Sequence, residues 1–220
     1  MVSLQKSDSV NKYDPLIAIE NVTKSYGRKK VLSIDNLVVE KNSSICILGS
    51  NGSGKSTLLR LLAGVSVPST GRLMFSKEVG NCVSTYLPQS KGIIPEFTVR
   101  HFLSLYLKLY DIRGEQDFSQ MEYLIKFDLI PYLDKKMSTL SGGYQKLVSL
   151  ACIFSVKPDI IFLDEPLGSL DMDFRASISK EIADISNSKT LTVVTMHSKT
   201  EFDDLDCYLE MKEGELSVIK

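Results

Sequence analysis

The sequence predicts an α/β fold in which a mainly parallel sheet is interrupted by a helical insertion. Short apolar runs typical of buried strands alternate with helical patterns in both halves of the chain. Between them, from about residue 96 to 136, two long helical patterns follow each other with no strand-like run. Of the 220 residues, 43% are hydrophobic and 24% are charged, which is enough apolar material for a globular core.

The first half of the chain is predicted to form strands around one helix, after a loose, polar N-terminal tail over residues 1–15. Alternating or short apolar runs indicate strands at 17–26, 31–40, 43–49, 70–76 and 83–89. The helix covers residues 56–64, because leucines recur there at helical spacing. It ends at Gly64, and Pro68 follows, which is a typical helix stop.

The second half begins with the insertion and then returns to strands. Helical patterns cover 99–112 and 118–130, and strand-like runs at 159–166 and 190–197 flank a further helical pattern at 173–186. Strands that alternate with helices in this way are typical of a parallel sheet.

Charge and cysteine usage narrow the possible partners and the compartment. Lys and Arg number 26 against 27 Asp and Glu, so there is no basic surplus of the kind that a nucleic-acid groove needs, and we expect no nucleic-acid partner. The four cysteines are scattered without a CxxC pair, which indicates reduced thiols in a cytoplasmic protein. No apolar run approaches the ~20 residues that span a bilayer, so a membrane role would need a partner.

The stretch GSNGSGKST matches the phosphate-binding pattern G-x-x-x-x-G-K-[ST]. Its glycines let backbone N–H groups converge on phosphate oxygens, Lys55 supplies a cation, and the Ser56 hydroxyl can ligate Mg²⁺. A plain Gly/Ser loop is the alternative, but the stretch lies between a predicted strand and a predicted helix, as the motif requires. The predicted binding residues are Gly49, Ser50, Asn51, Gly52, Ser53, Gly54, Lys55, Ser56 and Thr57.

Two acidic residues close the strand-like run DIIFLDEP. Polar residues at the carboxyl ends of parallel strands meet at the edge where ligands bind. Asp164 therefore fits a Mg²⁺-binding role and Glu165 is placed to polarise an attacking water. An acidic turn that merely ends a strand is the alternative, and the phosphate loop upstream argues against it.

A second candidate anion site occurs in TLSGGYQKLVSLA, residues 139–151. Small polar and glycine residues stand there directly before a helical pattern, and the free N–H groups of a helix start attract anions. One chain thus carries two helix starts that could meet a phosphate.

Six motifs in order, GSNGSGKST, YLPQS, LSGGYQK, IIFLDEP, GSLD and TMHS, make the chain resemble the ABC-type ATPases, the nucleotide-binding subunits of ATP-binding-cassette transporters. The resemblance covers residues 17–220. It implies a P-loop NTPase core with a mainly parallel sheet, an N-terminal antiparallel β subdomain and a helical subdomain at about 92–155, all within an ABC ATPase domain over 16–220. It also implies ATP and Mg²⁺ as ligands.

The resemblance explains why there are two phosphate-binding helix starts. In this family two subunits pack head to tail, as a homodimer or with a related ATPase subunit. It implies that Ser141, Gly142 and Gly143 of one chain face the γ-phosphate that Lys55 of the other chain holds. The dimer would then contain two composite sites.

Further site residues are implied by the same resemblance. Tyr26 would stack on adenine, although an aromatic residue before a glycine turn also suits strand-end packing. Gln89 would reach the Mg²⁺ or the attacking water, His197 would contact the γ-phosphate, and Asp171 would lie in the loop that crosses the dimer interface. Tyr144 departs from the family, which more usually has Gln there. We expect its ring to serve the dimer interface and not the chemical step.

The predicted function is ATP hydrolysis that powers a separate integral membrane permease. The chain would lie in the cytoplasm on the inner face of the cell membrane, and the IPEFTV and YLPQ segments favour an exporter. A soluble ABC-type ATPase that acts in assembly, such as an iron–sulfur scaffold subunit, is the alternative. A catalytically idle adaptor is disfavoured because every hydrolytic position holds a competent residue.

Overall fold

A computed structural model describes residues 2–3, 16–89, 92–112, 117–198 and 205–219, and this part contains two β-sheets. The first is antiparallel and is formed by β1 (Val2–Ser3), β2 (Ile17–Tyr26), β3 (Lys29–Val39) and β5 (Thr70–Phe75), in the spatial order β1-β3-β2-β5. The antiparallel N-terminal subdomain is therefore confirmed. Most of the predicted tail lies outside the described residues, and its β1 segment pairs with β3.

The second sheet has six strands and lies at the centre of the fold, between the two hydrophobic clusters. It contains β4 (Ser44–Leu48), β6 (Ser84–Leu87), β7 (Ile160–Asp164), β8 (Leu191–Met196), β9 (Cys207–Lys212) and β10 (Glu215–Val218). Their spatial order is β10-β9-β4-β8-β7-β6, and every pair is parallel except β9–β10. The prediction of a mainly parallel sheet is confirmed.

Helices cover both faces of this sheet, which is why its inner strands β4, β7 and β8 are buried along their whole length. On one face α1 (Lys55–Leu62) packs with Ile160 and Phe162 of β7 and with the antiparallel sheet. On the other face α4 (Gly142–Ser155) and α5 (Met172–Asn187) pack with Ile161 and Leu163. Even-numbered residues of β7 therefore face α1, and this alternation sets the direction of the side chains at the strand end.

The helical insertion differs from its prediction in one segment. The predicted helix at 99–112 is found as α2 (Val99–Leu109), but a continuous helix over 118–130 is wrong. Only α3 (Glu122–Lys126) forms there, between short 3₁₀ turns at Phe118–Gln120 and Ile130–Tyr132. Asp128 has a φ of 52° and Pro131 lacks a backbone donor, so the helix cannot continue.

Within the described ranges, no helix combines the length and the apolar composition needed to cross a bilayer.

Candidate active site

The glycine-rich loop joins β4 to α1 at the carboxyl end of the parallel strands. Gly54 begins the helix with a φ of 113°, and no side chain caps the first-turn N–H groups. Gly49 has no room for a side chain, because a Cβ there would lie 2.3 Å from the carbonyl oxygen of Met211. The buried Lys55 ammonium donates to the carbonyl oxygens of Gly49 at 2.8 Å and Ser50 at 3.1 Å. The loop thus surrounds a cation with open amide donors, which is the chemistry that binds phosphate.

A cavity of about 210 Å³ opens at this loop. It brings the loop together with two predicted residues from distant parts of the chain, the amide of Gln89 and the carboxylate of Glu165. The lining residues are Val31, Asn51, Gly52, Gly54, Lys55, Ser56, Thr57, Gln89 and Glu165.

Asp164 ends β7 with no solvent exposure. Its Oδ1 accepts hydrogen bonds from the Ser56 hydroxyl at 3.0 Å and from the Thr195 hydroxyl at 2.6 Å. Its Oδ2 is buried and has no hydrogen-bond partner among the described residues. A buried carboxylate oxygen with no partner is costly, and a hard cation such as Mg²⁺ would satisfy it.

Glu165 follows directly, and its carboxylate is the meeting point of the predicted catalytic residues. Oε2 accepts from Gln89 Nε2 at 2.9 Å, while Oε1 lies 3.0 Å from His197 Nε2 and 3.5 Å from Lys55 Nζ. The backbone of Glu165 is left-handed, with a φ of 49°, and its N–H donates to Thr195 Oγ1 at 3.0 Å. The chain leaves the sheet at this residue, so the carboxylate turns toward the glycine loop.

The LSGGY segment lies elsewhere on the surface. Ser141 is the N-cap of α4, and its hydroxyl accepts from the N–H of Tyr144 at 3.3 Å. Ser141 and Gly142 are exposed, and neither they nor Gly143 line the cavity around Lys55. A Cβ on Gly143 would lie 2.9 Å from the carbonyl oxygen of Ser169, so this helix start packs closely on the loop that follows Glu165.

Two predicted aromatic residues also lie outside the cavity. Tyr26 ends β2 with half of its surface exposed, and Lys24 Nζ lies 5.4 Å from its ring centroid. Adenine stacking by Tyr26 stays a prediction. Tyr144 is partly buried within its own chain, between the rings of Tyr132, 4.6 Å away, and Phe174, 6.0 Å away.

Sequence reasoning missed two residues that contact the acidic pair. One is Thr195, a hydroxyl residue two positions before His197, which the sequence does not distinguish from Thr192 of the same strand. The other is Lys146, whose ammonium lies 3.4 Å from the carbonyl oxygen of Glu165. Burial lowers the pKa of Lys146. No local pattern separates Lys146 from an ordinary exposed lysine of a helix.

This arrangement of a phosphate loop, a buried strand-end aspartate and an adjoining glutamate defines an ATPase domain of the P-loop class. A family model described as "ABC transporter" matches residues 32–168, which is more than half of the chain. The chain belongs to the ABC transporter family, and the ATPase-cassette fold expected from its motifs is confirmed.

Relatives are similar over most of this chain. The putrescine transport ATP-binding protein PotG of Escherichia coli is 33% identical over 195 residues, which are 85% of this chain and 52% of PotG. The zinc import protein ZnuC of Rickettsia conorii is 33% identical over 181 residues, 81% of this chain and 74% of ZnuC. An Fe(3+) import protein, FbpC of Mannheimia succiniciproducens, is 28% identical over 94% of this chain, which spans only 61% of FbpC.

Solved structures agree on the fold. The dimeric ABC transporter cassette MJ0796 has a TM-score of 0.79 and 24% sequence identity, and the match covers 93% of this chain and 99% of that one. A second structure of the same cassette, a post-hydrolysis state bound to ADP and Pi, has a TM-score of 0.78.

Proposed function

We propose that this chain binds ATP with Mg²⁺, hydrolyses it, and thereby powers a transporter. The observation that carries the proposal is the Glu165 carboxylate, which lies at the mouth of the phosphate loop. It is within 3.5 Å of Lys55, Gln89 and His197. A general base, a cation and two polar side chains then face the position that a γ-phosphate would take.

Phosphate binding would rearrange the ion pairs of Lys55. In the structure its ammonium contacts the Glu165 carboxylate as well as two loop carbonyls. A triphosphate carries more negative charge than one carboxylate and also accepts from the loop amides, so it would replace Glu165 beside Lys55. The Ser53 hydroxyl, which is buried without a hydrogen-bond partner, would gain one at the same time.

The residues present fit Mg²⁺. Ser56 and Asp164 are hydrogen-bonded to each other, and the unpartnered Asp164 Oδ2 is the kind of oxygen that Mg²⁺ prefers. Gln89 lines the same cavity, so its amide oxygen could serve as a further ligand of the Mg²⁺. When bound, Mg²⁺ would neutralise charge that develops on the β- and γ-phosphates.

Hydrolysis requires a water that is oriented and deprotonated as it attacks. Once released from Lys55, the Glu165 carboxylate would accept a proton from this water. His197 Nε2 and Gln89 Nε2 both contact this carboxylate, so they would restrict its direction, and His197 would also reach the γ-phosphate. These roles agree with those that the motifs predict.

Dimerisation would complete the site. Ser141 and Gly142 are exposed at the start of α4 and do not reach the chain's own cavity. We therefore expect them, with Gly143, to contact the nucleotide of a second subunit, either a copy of this chain or a related ATPase subunit. The cassette MJ0796 has been solved as a dimer, which supports this arrangement.

The membrane partner would be a separate integral permease, and this chain would lie on the cytoplasmic face of the membrane. A cavity of about 250 Å³ between the Gln89 loop and α4 is lined by Ile93, Lys146 and Ser149 among others, and it would accept a side chain from a permease helix that docks there. Export has no support among the named relatives, since FbpC and ZnuC are import proteins. Their transport roles also count against the alternative of a soluble assembly ATPase.

The proposal is tested by Glu165→Gln, which keeps the side-chain shape and removes the base. Turnover of ATP should fall roughly 10²–10⁴-fold, while binding of a fluorescent ATP analogue persists. Glu122→Gln, at an exposed position of α3, is the control and should hydrolyse ATP normally. Near-normal turnover in Glu165→Gln would rule out the proposed role of this carboxylate.

A further inference from the structure

A single buried hydroxyl joins the two acidic residues of the site. Thr195 belongs to β8, has no solvent exposure, and is the register partner of Asp164 on β7. Like Ile160 and Phe162, Asp164 is an even-numbered residue of β7, so its side chain lies on the face toward α1. Thr195 Oγ1 contacts Asp164 Oδ1 at 2.6 Å and the backbone nitrogen of Glu165 at 3.0 Å.

The direction of both hydrogen bonds follows from the chemistry of the groups. A backbone N–H can only donate and a carboxylate can only accept, whereas a hydroxyl has one proton to donate and lone pairs to accept with. Thr195 therefore accepts from the N–H of Glu165 and gives its proton to Asp164. No apolar β-branched residue, although equally suited to a buried strand, can make either bond.

These bonds affect the two acidic residues differently. On Asp164 the Thr195 and Ser56 hydroxyls both occupy Oδ1, so the carboxylate is held with its unpartnered Oδ2 free for a cation. On Glu165 the bond fixes the backbone N–H. The φ of Glu165 is 49°, a backbone conformation that residues other than glycine rarely adopt. The strand end is thereby held in the turn that brings the Glu165 carboxylate to Lys55 and His197.

We infer that Thr195 is a positioning residue that sets the Asp164 oxygen toward Mg²⁺ and the Glu165 carboxylate toward the attacking water. The inference rests on the proposed ATPase function. It adds a residue from a third strand to the machinery, because β8 lies between β4, which leads into the glycine loop, and β7. The Thr195 side chain would then position both the metal-binding carboxylate of Asp164 and the general base Glu165.

The test compares three substitutions of Thr195 with a matched control. Thr195→Val keeps the shape and removes the hydroxyl, and Thr195→Ser keeps the hydroxyl and removes the methyl group. Thr195→Cys keeps a similar side-chain volume but has a weaker hydrogen-bond donor. It takes the place of the valine variant in the comparison if Thr195→Val does not fold. The control is Thr192→Val, at a fully buried residue of the same strand whose hydroxyl donates to the Thr190 carbonyl oxygen at 3.3 Å and, among the described residues, contacts neither acidic residue.

Two measurements are made on each purified chain. One is kcat for ATP hydrolysis at saturating Mg²⁺. The other is the affinity for a fluorescent ATP analogue with Mg²⁺ and with EDTA, which reports the metal without requiring turnover. Thr195→Val should lower kcat at least tenfold and reduce the gain in affinity from Mg²⁺ severalfold, with affinity in EDTA unchanged. Thr195→Ser should stay within about threefold of wild type, Thr195→Cys should fall between the two, and Thr192→Val should match wild type.

Two outcomes would overturn the inference. Wild-type kcat and Mg²⁺ dependence in Thr195→Val or Thr195→Cys would show that the hydroxyl positions nothing. Impairment of Thr195→Ser as large as that of Thr195→Val would show that the retained hydroxyl positions neither acidic residue, and would assign the effect to packing around residue 195. Failure of the proposed function itself looks different, because Glu165→Gln would then also retain turnover or the unmodified chain would have none.

Discussion

Replacing Tyr144 with Ala should destabilise the single chain before any dimer forms. The Tyr144 ring contacts Tyr132 with centroids 4.6 Å apart and Phe174 in an edge-to-face geometry at 6.0 Å. The neighbouring Tyr132 side chain raises the pKa of Tyr144. The ring thus joins the start of α4 to a 3₁₀ turn of the insertion and to α5, two elements that precede and follow it in sequence.

The magnitude follows from these contacts. Each aromatic pair contributes about 0.5–1.5 kcal/mol, so two pairs give about 1–3 kcal/mol. Complete truncation of a core Phe costs about 3–5 kcal/mol, and the Tyr144 ring is only partly buried, which again suggests roughly 2 kcal/mol. In a domain of this size that corresponds to a fall of about 4–8 °C in Tm.

The assay is urea and thermal unfolding of the nucleotide-free chain, followed by circular dichroism at several protein concentrations. Tyr144→Phe keeps both ring contacts, so its free energy of unfolding should stay close to that of the unmodified chain. Tyr144→Gln restores the usual family residue but removes both ring contacts, so it should behave like Tyr144→Ala. Unchanged stability of Tyr144→Ala, together with an ATPase rate that recovers at higher protein concentration, would refute this reasoning and favour the expected role at the dimer interface.

Two further predictions concern Ser141, the N-cap of α4, and Lys146 within that helix. Chains with Lys55→Ala and chains with Ser141→Arg should each be inactive alone, and a mixture should regain ATPase activity, because one composite site per heterodimer pairs an intact glycine loop with an intact Ser141. Normal hydrolysis by Ser141→Arg alone would contradict a contact across the dimer. Lys146→Met should lower kcat severalfold by removing the ammonium 3.4 Å from the Glu165 carbonyl oxygen. The Lys146→Met variant should have an unchanged or higher Tm, since burial disfavours the charge of the lysine. The control is Lys108→Met on the exposed face of α2, which should change neither kcat nor Tm. An unchanged kcat in Lys146→Met would exclude a role for Lys146 beside Glu165.

The sequence by itself predicted β4, β6, β7 and β8 of the second sheet, but not β9 and β10. It also indicated the principal members of the site. Apolar runs that end in a glycine loop, in Asp164 and Glu165, or in His197 indicate strands, and parallel strands bring their carboxyl ends to one edge. Convergence of Asp164 and Glu165 on the glycine loop therefore follows from local patterns and strand direction, whereas the place of His197 was implied by the resemblance to the ABC-type ATPases. The observed distances from Glu165 Oε1, 3.0 Å to His197 Nε2 and 3.5 Å to Lys55 Nζ, agree with this convergence.

Tertiary structure decided what depends on contacts between segments far apart in sequence. The position of the Tyr144 ring and the two bonds of Thr195 belong to this group. A helical or strand period reports only which side of an element is buried, and it does not specify the neighbour that covers that side. Thr195 reads as one more β-branched strand residue until β7 is placed beside it, and only then does its hydroxyl meet Asp164.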